Sequence, residues 1–185
     1  MSLHFFKEAI PHAEEARLHI LAAIAFFLAG VLIGFLRPDH FPGSFRYLSD
    51  LAAYLRESSA LAVILFLFLK NSLASFIVLW AGTLLGIIPL MAAAQNGYLM
   101  GAVLSWQESP FISFLNLLPH GIFELPAFFL ACGIGIWRGL WIFRKNKAEP
   151  YRERAKKGYL IFYRLVLPLL IIAAVIEGLR IAQAG

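Results

Sequence analysis

Charge and cysteine are scarce in this sequence, and each shortage excludes a class of protein. Charged residues make up 15% of the 185 residues, against roughly 25% in a typical soluble domain. Hydrophobic residues make up 61%, which excludes a disordered chain and would leave a soluble domain of this size with large exposed apolar patches. Cys132 is the single cysteine, so one chain can form neither an internal disulfide nor a thiolate metal cluster.

Long uncharged stretches are present instead, and they predict an integral membrane protein. Residues 18–36 carry no charge and would form about 28 Å of helix, enough to cross the hydrocarbon layer. Between Ser58 and Gln107 the only charged residue is Lys70, and a helix of that length, about 75 Å, must fold into at least two spans. The predicted fold is all-α: a polytopic transmembrane helical bundle with about five spans and a short N-terminal helix.

The register of the second and third spans depends on where the chain turns. The preferred turn is Lys70–Ser72, because Ser72 can cap a helix and a lysine at membrane depth is costly. The alternative is a turn near Gly82 and Thr83, with Lys70 and Asn71 inside a span. With the preferred turn, the predicted spans are 18–36, 45–69, 73–103, 119–140 and 158–182.

Two further segments have an expected structure. Residues 110–118 are interpreted as a short helix or a re-entrant segment, because Pro119 suits the first position of the fourth span. Residues 1–17 are interpreted as a cytoplasmic segment whose helix is broken near Pro11. The remainder, 18–182, is expected to form one transmembrane domain.

Basic residues are concentrated between the fourth and fifth spans. Nine of them lie between Arg138 and Arg164, opposed by two glutamates. Because this stretch joins two apolar segments, we interpret 138–158 as a cytoplasmic loop that contacts anionic lipid headgroups, and not as a nucleic-acid surface. We therefore predict a multi-pass protein of the cell membrane, with the N-terminus in the cytoplasm and the C-terminus outside.

Four pairs of glycines have the GxxxG spacing, which lets helix backbones approach closely in lipid. They serve either packing within the chain or a homodimer face. The pairs are Gly30/Gly34, Gly82/Gly86, Gly97/Gly101 and Gly135/Gly139.

Polar residues inside the apolar spans are the candidate functional residues, because charge at membrane depth is costly and usually functional. His120 and Glu124 are four residues apart, so on a helix they share one face at about 6 Å. Such a pair can share a proton, bind a ligand or hold a metal, although zinc usually needs three or four ligands. Hydrogen bonding of the pair to neighbouring helices is the structural alternative.

The five-span topology places several of these residues at similar depth. We predict one outward-opening polar cluster of Asn96, His120, Glu124 and Glu177, with Gln95 beside it. Under the preferred turn, Asn71 lies at the inner end and does not belong to the cluster. A simple ion pair with Arg180 is an equal alternative for Glu177.

The stretch LPHGIFELPAFFLACGIG, Leu118–Gly135, closely resembles the signature of the stage II sporulation protein M family. Supporting fragments in the same order are LFLKNSLASF, QNGYLMG and AAVIEG, and the resemblance covers roughly residues 20–182. It implies a multi-span membrane protein in which the family's motif residues correspond to Asn71, Asn96, Gly97, Pro119, His120, Gly121, Glu124, Pro126 and Glu177. The founding member acts in engulfment as a membrane partner of peptidoglycan-degrading proteins. That role is not carried over, because most relatives occur in organisms that make no spores.

Three functions remain open. The resemblance and the short loops favour a non-catalytic membrane scaffold or partner-recruiting protein. The alternative is a small homo-oligomeric transporter or channel, coupled to ions or protons through His120 and Glu124. An intramembrane hydrolase lacks a recognisable nucleophile. No cofactor is expected, and a metal at His120 and Glu124 is only weakly supported. The expected partners are membrane lipids, a second copy and an unidentified protein.

Overall fold

The structure is a computed structural model that describes residues 6–38, 50, 51, 53–55, 57–143 and 151–184, without the side chains of 116, 117, 120 and 182–184. Five of its helices are long and apolar enough to cross a membrane, and the described residues form no strand. The predicted all-α polytopic bundle with about five spans is therefore confirmed.

Three of the spans lie within single helices, the fourth runs from an α-helix into a 3-10 turn, and the fifth is assembled from three helical pieces. In chain order the elements are α1 (Ile10–Glu15), α2 (Arg17–Leu36), α3 (Ala60–Ala81), α4 (Ile87–Ser105), α5 (Pro110–Gly139), a 3-10 turn (Leu140–Phe143), α6 (Tyr151–Ile161), a π-helical turn (Phe162–Val166) and α7 (Leu167–Ala184). The π-helical turn ends two residues before Pro168. Its wider backbone relieves the clash between the proline ring and the carbonyl group of Arg164, four residues earlier.

Helix α3 runs without interruption through Lys70–Ser72, so the preferred turn at these residues is wrong. The chain turns instead at 82–86, as in the alternative. Leu85 and Gly86 adopt positive φ angles of 57° and 72° there, a conformation that glycine enters without strain. The span accommodates Lys70 because this side chain lies on the exposed side of α3, where its stem contributes apolar surface.

Helix α5 is one helix of 30 residues, from Pro110 to Gly139. Residues 110–118 are its first turns and not a re-entrant segment, and the first-turn proline is Pro110 and not Pro119. Pro119 and Pro126 lie inside α5 on its exposed side. The hydrogen bonds that these prolines cannot make are therefore missing from the exposed side of the helix.

The basic segment is more helical than predicted. Helix α5 extends to Gly139 and α6 begins at Tyr151, so both ends of the predicted loop at 138–158 are helical. Residues 144–150 lie outside the described part of the chain.

Helix α1 packs against α6 and brings acidic side chains to the basic segment. Lys157 Nζ donates to both carboxylate oxygens of Glu15 at 2.9 and 3.0 Å, and Arg164 pairs with Glu8. Because these side chains are partly exposed, each pair contributes little to stability alone. Their effect is to hold α1 at the end of the bundle that also contains the turn at 82–86, the end of α5 and the start of α6. We call this the basic end.

All four GxxxG pairs pack helices within the chain. Helices α2 and α4 run in the same direction, and a Cβ atom on Gly97 would lie 2.0 Å from the carbonyl oxygen of Phe27. At the basic end, a Cβ atom on Gly139 would lie 1.8 Å from the carbonyl oxygen of Gly82. The other glycines of these pairs also face a neighbouring segment at close range: Gly30, Gly34, Gly86, Gly101 and Gly135. The pairs are therefore occupied within the monomer and do not support a homodimer face.

Replacing Gly97 with alanine is expected to lower the free energy of unfolding by about 1–3 kcal/mol, because the new Cβ atom would collide with backbone. Thermal unfolding in detergent measures the effect. Gly121→Ala is the matched control, since its Cβ atom would meet Leu125 Cδ1 at 3.9 Å, an ordinary contact. Equal destabilisation by both variants would contradict the packing assigned to Gly97.

Candidate functional site

Side chains from all five spans line a partly open cavity of about 230 Å³, which we call the central cavity. Its described lining residues are Phe27 of α2; Asn71, Ala74, Ser75 and Val78 of α3; Asn96 and Met100 of α4; Glu124, Leu125 and Phe128 of α5; and Leu170 of α7. The wall is mainly apolar, and its polar part consists of one carboxylate, two amides and a hydroxyl. An apolar wall with a few converging polar groups is typical of sites for small ligands.

The central cavity lies about halfway along the spans. Phe27, Asn71 and Asn96 are each close to the midpoint of their helix. Asn96 is therefore not near the outer end of its span, and Asn71 joins it instead of lying at the inner end. Both differences follow from the register, because moving the turn from Lys70–Ser72 to 82–86 shifts α3 and α4 along the bundle by about three helical turns.

The amide of Asn96 is held by its own helix. Its Nδ2 donates a hydrogen bond to the carbonyl oxygen of Ala92 at 2.8 Å, one turn earlier. Because Nδ2 is turned toward the backbone, Oδ1 is the atom of this amide that is left to accept a hydrogen bond or a cation. From α3, Ser75 adds a hydroxyl group that is almost fully buried.

Glu124 alone carries a formal charge among the described residues that line the central cavity. Inside a membrane, an ionised carboxylate is stable only with a cation, hydrogen-bond donors or water around it, and otherwise it takes up a proton. The cavity can hold several water molecules, because one water needs roughly 10–15 Å³ of such volume. With its oxygen acceptors and negative charge, the site can receive a cation or a proton.

His120 lies on α5 one turn before Glu124, but its side chain falls outside the described residues. Proton sharing or metal binding by these two residues therefore stays a prediction. Within the described part of the chain, no group of three or more His, Cys, Asp or Glu side chains is arranged to hold a metal ion.

The remaining motif residues on α4 and α5 lie around the cavity and not in its described lining. Gly97 packs α4 against α2. Gly121 and Pro126 line an apolar groove of about 360 Å³, which shares Met100 and Leu125 with the central cavity. Pro119 lies on the exposed side of α5.

Glu177 and Gln95 do not belong to the central cavity as its described lining defines it. Arg180 donates to both carboxylate oxygens of Glu177, at 2.7 and 2.9 Å. Glu177 therefore forms the ion pair that was the alternative to a place in the polar cluster. Gln95 lines a separate groove between α2 and α4. The structure thus brings Asn96 and Glu124 together, adds Asn71, and leaves Glu177 and Gln95 elsewhere.

Two buried arginines at the basic end were missed by the sequence reasoning. Arg138 and Arg154 are only 2% and 1% exposed. Arg138 Nη1 donates to the carbonyl oxygen of Leu79 at 3.1 Å, and Arg154 Nη1 donates to that of Trp137 at 2.8 Å. These carbonyl groups lie in the last turns of α3 and α5, where the partial negative charge of the helix favours a cation. Each arginine therefore caps a helix end.

Trp137 is also buried, so it packs inside the bundle and does not face the lipid headgroups. The guanidinium carbon of Arg154 lies 4.2 Å from its ring centroid, a cation–π contact. The sequence places these arginines among other basic residues and gives no sign of their burial. The one usable signal is that Arg138 directly follows Trp137 at the end of an apolar run.

The spans, the polar cavity at mid-depth and the capped basic end define a polytopic helical membrane protein with a polar site inside its bundle. The family model of stage II sporulation protein M matches residues 23–179, which is most of the chain. The chain belongs to this family, as the resemblance in Leu118–Gly135 implied. Comparison with curated proteins gave no match, and comparison with solved structures gave none either.

A cysteine placed at Asn96 in a Cys132→Ala background is expected to react with a small, charged, water-soluble thiol reagent. Asn96 lines the cavity and keeps an accessible side chain, whereas Cys132 is fully buried. Mass spectrometry of labelled membranes measures the modification. The native protein, with Cys132 alone, is the control and should stay unmodified. Reaction of the Asn96 variant with lipid-soluble reagents only would contradict a hydrated cavity.

Proposed function

We propose that this protein moves a small cation or a proton across the membrane through the central cavity. The observation that carries the proposal is the position of Glu124, in a cavity that all five spans line and that also contains Asn71, Asn96 and Ser75. Carboxylate, amide and hydroxyl oxygens are the ligands that hard cations prefer.

The position of the charge supports transport over a purely structural role. A carboxylate halfway across a membrane costs free energy unless something compensates for it, so such residues usually mark an ion or proton path. A cation that enters the cavity would be attracted by the carboxylate of Glu124 and could be coordinated by the amide and hydroxyl oxygens of the lining. When the cation leaves, the carboxylate could take up water or a proton in its place.

The proposed orientation has the basic end in the cytoplasm and the C-terminus outside. Lys157, Arg164 and the two capping arginines lie at or near the basic end. Arg37 directly follows α2, and Arg180 lies near the end of α7, so both are at the end of the bundle opposite the basic end. This asymmetry follows the tendency of positive charge to remain on the cytoplasmic side.

A homo-oligomer remains part of the proposal, but the cavity does not require one. Helices of a single chain line it, and the glycine pairs that could have formed a dimer face are occupied within the monomer. If the protein assembles, we expect each copy to contain its own path.

Replacing Glu124 with glutamine is expected to reduce cation or proton flux by about tenfold or more, because the variant keeps the shape of the side chain and removes its charge. Flux is measured in proteoliposomes under imposed sodium, potassium and pH gradients. Glu177→Gln is the matched control. It removes a carboxylate from the same bundle, but one that is paired with Arg180 outside the described cavity lining.

Two results would count against this proposal. Absence of flux from the folded wild-type protein under every gradient would remove the transport function. Equal flux in wild type and Glu124→Gln would show that any path runs elsewhere.

A second function, a membrane scaffold that recruits a protein partner, is favoured by the first turns of α5. With 30 residues α5 is about 45 Å long, whereas the hydrocarbon layer is roughly 30 Å thick. With Glu124 at mid-depth, about ten residues of α5 before it lie within the hydrocarbon layer. Phe111 and Ile112 lie beyond these residues and are exposed, so they offer an apolar surface to a partner.

A photo-crosslinking residue at Phe111 is expected to capture a discrete protein in the native membrane if the scaffold function holds. The matched control is the same residue at Leu28, which is exposed near the middle of α2 and should face lipid. Gel electrophoresis and mass spectrometry identify the adducts. Identical adducts at both positions, or none at Phe111, would contradict recruitment by this surface.

A further inference from the structure

We propose that a second pocket, at the basic end, binds a phosphate group, and that this phosphate belongs to the headgroup of an anionic phospholipid. The pocket has a volume of about 360 Å³, and its wall includes Thr83, Leu85, Arg138, Trp141, Ile142 and Tyr151. It shares no described lining residue with the central cavity, so the proposal is independent of transport.

The charge of Arg138 is the first reason to expect an anion. This side chain is almost fully buried, and its described partners are the Leu79 carbonyl oxygen, the Tyr151 hydroxyl and the rings of Tyr151 and Tyr159. All of these partners are neutral, and the described wall of the pocket contains no carboxylate. A buried guanidinium is stabilised most when an anion lies nearby, so the pocket has the charge that a phosphate needs.

The hydroxyl group of Tyr151 supplies a second, directed contact. Its oxygen accepts a hydrogen bond from Arg138 Nη2 at 3.1 Å, so its own hydrogen is free for a different acceptor. Because Tyr151 and Arg138 both line the pocket, a phosphate there can accept from this hydroxyl beside the guanidinium. The contact with Arg138 also polarises the hydroxyl and makes it a better donor.

The N-terminal end of helix α4 also favours an anion in this pocket. Helix α4 begins directly after the turn at 82–86, and its N-cap residue, Gly86, provides no capping side chain. The partial positive charge at this end of α4 is therefore not reduced by a side-chain acceptor at the N-cap. It lies beside Leu85, in the pocket wall, and adds to the field of Arg138.

The apolar part of the pocket favours a lipid as the source of the phosphate. Leu85 and Ile142 line it and are exposed, and Phe143 follows with an exposed ring. Trp141 adds an aromatic wall of the kind that sits at the level of lipid headgroups. A lipid could place its phosphate near Arg138 and its glycerol and first chain carbons against these apolar side chains.

The test compares Tyr151→Phe with Tyr159→Phe. Each variant removes the hydroxyl from a tyrosine whose ring contacts the Arg138 guanidinium and keeps that ring, but only Tyr151 lines the pocket. Purified protein in detergent is titrated with short-chain phosphatidylglycerol, short-chain phosphatidylcholine and inorganic phosphate, and the unfolding midpoint is followed. Arg138 itself is unsuitable, because its replacement also removes the cap of α3.

We expect phosphatidylglycerol to stabilise the wild type and Tyr159→Phe at similar concentrations, and Tyr151→Phe to bind about tenfold more weakly. Phosphatidylcholine should have a smaller effect on all three proteins. An equal response of the wild type to inorganic phosphate, again weakened in Tyr151→Phe, would support the phosphate site and overturn the assignment to a lipid. No preference for phosphatidylglycerol or phosphate, or the same response in Tyr151→Phe as in the wild type, would overturn the proposal.

Discussion

The close approach of helix backbones at glycine is the interaction on which the rest of this structure depends. In a bilayer, lipid tails are as apolar as leucine, so no hydrophobic force brings helices together, and close packing must do so. The contact between Gly97 and Phe27 is at the same level as the central cavity, because Phe27 and Asn96 both line it. The glycine contact therefore fixes the position of one wall of the site.

The basic end is held by a different interaction. The last carbonyl groups of a helix have no partner within that helix, and they must find one elsewhere. Arg138 supplies such a partner to α3, and Arg154, on α6, supplies one to α5. The basic segment is therefore part of the fold, since α6 is tied to the bundle and continues through the π-helical turn into α7.

The class of fold and the number of spans could be predicted, because both depend only on the length of uncharged runs. The register could not, because a hydropathy argument penalises Lys70 whichever way its side chain points, and in the structure it points away from the bundle. The candidate site could be predicted only in part, because it depends on the same register. A glutamate inside an apolar run is unusual, so the sequence marks Glu124 as a candidate. The sequence alone cannot show which residues of other helices face it. Asn71 was excluded by the wrong register, and Glu177 was included by depth alone.

The polar groups of the central cavity come from three helices, so assembling the site and packing these helices are one event. Each of Asn71, Asn96 and Glu124 would be costly alone in lipid, and around one cavity they can share the same water or ligand. That reasoning applies equally to a structural cluster and to a binding site. The two differ in the space that remains, since a purely structural cluster needs no volume between its members. Here about 230 Å³ stays open around a carboxylate, which is more than the polar groups need for pairing and is enough for water and an ion.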